Sequence, residues 1–92
     1  GEPVTRPMIL SGSRLLLNFS SAAAGSVRVE VQDEAGEPVP GFSLNECPPV
    51  FGDTIDREVV FKNGPDMAAL EGKPVRLRFM MNDADIFSFR FQ

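Results

Sequence analysis

The sequence predicts an all-β domain, a two-sheet antiparallel β-sandwich of jelly-roll or Ig-like type with about seven short strands and one short helical turn. Three observations lead there. The chain has 92 residues, enough for one hydrophobic core and no more. Several segments alternate apolar and polar residues with a period of two, the mark of a strand with one face buried. Turn residues recur every ten or so positions, and no stretch is long enough to be the crossover helix that a parallel sheet requires. A lone sheet would leave a full face of Phe, Leu and Val in water, so two facing sheets are expected.

Residues 1–7 carry Pro3 and Pro7, which have no amide to donate, and are expected to be a linker; residues 8–92 form the single domain. Met8-Ile9-Leu10 is a short apolar run closed by Ser11-Gly12-Ser13. In Arg14 to Phe19 the residues Leu15, Leu17 and Phe19 share one face, while Leu16 breaks the pattern and implies cover on both faces. Val27, Val29 and Val31 then alternate with Arg28, Glu30 and Gln32. After the turn at Asp33 to Pro38, Val39 to Leu44 suits only a sheet edge because of Pro40, and Asn45 to Asp53 reads as a loop.

Ile55 to Lys62 alternates again, with Ile55, Val59 and Phe61 directed inward. Asp66 is placed to cap one turn of helix over Met67 to Glu71, and Gly72 suits the left-handed position that stops it. Val75, Leu77, Phe79 and Met81 form the next strand, Asn82-Asp83-Ala84-Asp85 is expected to reverse the chain, and Phe87, Phe89 and Phe91 end it with their rings in the core.

Composition narrows the chemistry. Nine basic against thirteen acidic residues give a net charge of −4 and a pI near 4.6, which excludes a cationic footprint for nucleic acid. No apolar run reaches the length of a membrane span, so no membrane insertion is expected. With no histidine, Ser-His and Cys-His nucleophile pairs and imidazole zinc sites are closed. Carboxylate pairs remain, Asp53 with Asp56 or Asp83 with Asp85, but both sit in or beside turns where Asp caps amides. The domain is therefore expected to be non-catalytic.

For binding, the residues offer three sets. Phe42 and Phe51 flank the Pro-rich loop and are the aromatic rings available as carbohydrate platforms, since Trp and Tyr are absent. Arg76, Arg78 and Arg90 can share one outer face and receive a sulfate or uronate, or pair with Glu30 and Glu58. Asn82, Asp83 and Asp85 are the candidate ligands of a structural calcium; otherwise no cofactor is expected. The single Cys47 has no basic sequence neighbour and reads as a semi-buried thiol.

Gly25-Ser26-Val27-Arg28-Val29-Glu30-Val31-Gln32-Asp33, the run Pro40-Gly41-Phe42-Ser43-Leu44 ending at Cys47, Gly72-Lys73-Pro74-Val75-Arg76-Leu77-Arg78-Phe79, and Asp83-Ala84-Asp85-Ile86-Phe87-Ser88-Phe89 carry a resemblance. They resemble the C-terminal accessory β-sandwich domain of large bacterial, planctomycete-type glycosyl-hydrolase-like proteins, over nearly all of residues 8–92. The family's last strand is expected to hold Tyr where this chain has Phe87. The resemblance implies a non-catalytic module outside the cytoplasm, extracellular or periplasmic, whose partner is the adjacent domain of the same parent chain. The alternative it leaves open is a carbohydrate-binding module for a polysaccharide. An apolar docking patch is expected on one outer face, where Leu16, Val60, Met80 and Ile86 are available.

Overall fold

The computed structural model describes residues 3–52 and 54–92. All four strands are antiparallel members of one sheet: β1 (Met8–Ile9), β2 (Leu15–Asp33), β3 (Thr54–Glu58) and β4 (Pro74–Phe91), in the order β1-β4-β2-β3. The all-β, antiparallel expectation holds. The seven short strands do not: Leu15–Phe19 and Val27–Gln32, expected in separate strands, lie in the two halves of β2, and the last two expected strands are two halves of β4.

The long strands run on because their breaks are bulges instead of turns. Ser21 faces Ala84 and Ser26 faces Asn82, so residues 22–25 stand opposite Asp83 alone. Asp83 takes a left-handed backbone (φ 48°), and Gly25 packs against the carbonyls of Asn82 and Asp83. Such a bulge bends both strands. The bend is required by size, since 19 extended residues span roughly 60 Å and the longest dimension of the molecule is 35 Å. The sheet folds over on itself, and Leu15, Leu17 and Phe19 from one half share a single core with Val27, Val29, Val31, Val75 and Leu77 from the other.

A second slip lies at Phe87. Asn18 faces Ser88 and Phe19 faces Ile86, leaving Phe87 without a partner on β2. The two slips change the inward parity of β4 twice: Phe79 and Met81, then Ala84 and Ile86, then Phe89 and Phe91 meet the core. Phe87, expected inside, is 70 % exposed. The expected reversal at Asn82 to Asp85 is likewise replaced by continuous strand.

Along the other edge of β4, residues 3–5, part of the expected linker, are bound to the sheet. The Phe79 amide donates to the Pro3 carbonyl at 3.0 Å, and the Thr5 amide donates to the Leu77 carbonyl at 2.9 Å. The Leu77 amide in turn donates to the Thr5 hydroxyl at 2.9 Å. Beyond Phe79 no strand among the described residues covers this edge.

β3 ends at Glu58, short of the expected Lys62, and Ile55 is 82 % exposed although it was assigned to the core. The left-handed Asp56 (φ 54°), whose amide donates to Asn18 Oδ1 at 2.8 Å, breaks the alternation between Ile55 and the buried Val59 and Phe61. Val39 to Leu44 follows the edge of β2 without forming a strand: Val39 donates to the Val31 carbonyl and Val31 to the Phe42 carbonyl. A 3₁₀ turn follows at Leu44–Glu46. The Ser43 amide and hydroxyl both donate to Glu46, holding its carboxyl below the usual carboxylate range. The predicted helical turn is present as 3₁₀ over Met67–Leu70, with Asp66 accepting from the Ala68 amide and Gly72 left-handed at φ 83°.

Candidate functional site

Two surface features are built by the fold-over. The first is an apolar cleft of about 270 Å³ at the uncovered part of β4, lined by Pro3, Phe79, Met81, Ile86, Phe87, Ser88 and Phe89. One wall is built of packed rings, with Phe89 against Phe79 at a centroid distance of 5.5 Å and against Phe91 at 6.4 Å. Phe87 stands at the slip in β4, where it has no cross-strand neighbour on β2 to cover it.

The second is the outer face of the other half of the sheet, where the ladder sets Ser26 beside Asn82, Arg28 beside Met80, Glu30 beside Arg78 and Gln32 beside Arg76. Glu30 points outward yet is only 3 % exposed. Gln32 Nε2 donates to it at 2.9 Å, the Leu44 amide at 3.2 Å and Arg78 at 3.4 Å, so its carboxylate ties the 38–50 segment to the sheet. Arg76 donates to the carbonyls of Glu34 and Thr5.

The expected site residues fare differently. Phe42 is buried at 5 % exposure and meets Phe61 edge-on at 5.1 Å, so it anchors the loop and offers no platform. Phe51 is 55 % exposed and has no ring neighbour among the described residues. Arg76 and Arg78 share an outer face, but Arg90 lies beyond both bulges and holds Asp56 through two contacts of 3.2 and 3.3 Å. Glu58, expected opposite these arginines, pairs instead with Arg14 at 3.2 Å.

Asn82 faces Ser26, Asp85 faces Ser20, and Asp83 sits in the bulge between them. Among the described residues no three Asp, Glu or Cys side chains come together as metal ligands. Of the carboxylate pairs, Asp56 is engaged by Arg90, and Asp53 lies outside the described residues. Leu16, offered for an exposed patch, is buried between Glu58 and Arg90 in the ladder, while Val60 and Met80 are exposed. Sequence reading missed the exposure of Phe87 and the absence of a hydrogen-bond or ion-pair partner for Arg28 among the described residues. The available signal was the small or polar interruption in each long strand, Ser20–Gly25 and Asn82–Asp85.

Cys47 is buried, and its Sγ accepts from the Val29 amide at 3.4 Å. Burial raises its pKa, against smaller opposing effects of the Val29 amide and the Arg28 charge. Native protein at pH 8 is therefore expected to leave a disulfide thiol reagent unreacted for as long as it stays folded, and to react with one equivalent after urea is added. Rapid native labelling would contradict the buried position. The same shift implies stability that is present below the unfolded thiol pKa and lost as pH rises through the folded one.

Comparison with family models, with curated proteins and with solved structures finds no match to this chain.

Proposed function

We propose that this chain is a non-catalytic accessory module that docks against an adjacent domain of its parent chain through the apolar cleft beside β4. The observation that carries the reading is Phe87, a large ring held in solvent at the rim of an apolar cleft, on a strand edge that no described strand covers. An exposed aromatic beside an uncovered edge is a surface that proteins usually blunt unless it has a partner. The parent context, a secreted glycoside-hydrolase-like multidomain protein, rests on the resemblance of the strand and turn segments. The folded-over sheet, with two layers facing one core, is in keeping with a sandwich-type accessory domain of that family. A second reading, a carbohydrate-binding module for a polysaccharide, retains Phe51 as its exposed ring.

Phe87→Ser is expected to change the stability of the chain alone by no more than about 0.5 kcal/mol, because the ring is mostly in water. Calorimetry of the chain joined to its neighbour in the parent reading frame is then expected to show coupled unfolding that Phe87→Ser uncouples. Independent transitions unaffected by the substitution, or a reading frame without any neighbouring domain, would contradict the proposal.

A further inference from the structure

Three half-buried arginines, Arg28, Arg76 and Arg78, lie on the outer face of the half-sheet described above, in a chain whose net charge is −4. The one carboxylate in their ladder rows, Glu30, is already engaged by Gln32, Leu44 and Arg78. Arg76 is turned toward two backbone carbonyls. Arg28 has neither an ion pair nor a hydrogen bond with any described residue. The same holds for the side chains of Ser26 and Asn82. These three side chains line one cavity of about 180 Å³, with Met80 as its apolar wall. A planar guanidinium, a hydroxyl and a carboxamide thus converge on one space with their donors unused.

We infer that this cavity binds a single anionic oxygen group, a carboxylate or a sulfate, carried on a hydroxyl-rich small molecule such as a sugar acid or a sulfated sugar. The Arg28 fork meets two oxygens of the anion, as guanidinium groups do with carboxylates and sulfates. Ser26 and Asn82 donate to a remaining oxygen or to neighbouring hydroxyls, and Met80 packs on the carbon skeleton. One charge suits the site better than a polymer of charges, because the excess of acidic residues over the whole chain repels a polyanion.

The test is an amide-shift titration of the uniformly ¹⁵N-labelled 92-residue chain with glucuronate, glucose 6-sulfate and glucose in parallel. Saturable shifts confined to Ser26–Arg28 and Met80–Asn82 are expected with at least one of the two anions and not with glucose. Which anion saturates distinguishes a carboxylate from a sulfate ligand. Arg28→Gln is expected to weaken binding by about tenfold or more, which corresponds to ~1.4 kcal/mol. Arg14→Gln, on the other half of the sheet, is expected to leave it unchanged. If Arg28→Gln perturbs the fold, Asn82→Ala serves in its place, with a weakening of several-fold expected. Absence of saturable shifts with both anions, equal shifts with glucose, or undiminished affinity in the variants would overturn the inference.

Discussion

Phe19→Ala is expected to lower the unfolding free energy by about 3–5 kcal/mol. The ring is 2 % exposed and sits in β2 just before the large bulge, in the cluster that joins both halves of the folded-over sheet. Removing it deletes apolar burial and leaves a cavity that the two layers, held by their ladders, collapse into only in part. For a domain of this size the total stability is on the order of 5–15 kcal/mol, so the loss takes a large share of it. Urea denaturation followed by far-UV circular dichroism measures it directly. A change below about 1 kcal/mol would mean that Phe19 does not belong to the shared core.

Gly25→Ala is expected to destabilise by about 1–3 kcal/mol, and a larger side chain by more. A Cβ at this position would lie 2.3 Å from the Asp83 carbonyl oxygen and 2.6 Å from that of Asn82. Both are backbone atoms of the facing strand, so no side chain can swing away; the bulge itself has to open. The backbone at Gly25 does not adopt a positive φ, so the cost is steric and not conformational. This makes the substitution a specific probe of the corner on which the fold-over depends. Thermal unfolding checks it, and an unchanged melting temperature would show that the two strands do not approach so closely there.

Much of the local structure is legible in the residues. Val27, Val29 and Val31 alternate without interruption and are all fully buried, because a strand with one dry face must repeat every two residues. Asp66 and Gly72 are found at the start and just past the end of their turn for the reasons their chemistry gives. What was hidden is where a strand continues. Ser20–Gly25 and Asn82–Asp85 are small and polar, and a bulge and a reversing turn use the same residue types. Only the pairing partner distinguishes them, and that partner lies about sixty positions away in sequence.

The site depended on the same long-range information. The exposure of Phe87 follows from a one-residue slip, which shifts the inward parity along the rest of the strand. The burial of Glu30 follows from Leu44 and Arg78 converging on it, and no alternation rule encodes that. Arg28 was legible as an outward residue, but its lack of a hydrogen-bond or ion-pair partner among the described residues was not. Phe42 was ambiguous for a related reason: a ring beside a Pro-rich loop reads alike as anchor or platform until Phe61 is placed against it.

The docking claim is tested most directly by amide hydrogen exchange along β4, measured on the chain alone and on the chain joined to its neighbouring domain. Amides from Phe87 to Phe91 on the uncovered edge are expected to exchange readily in the chain alone and to gain protection when the neighbour is present, while the Val75–Phe79 amides stay unchanged. Identical exchange of the Phe87–Phe91 segment in the two samples would contradict it.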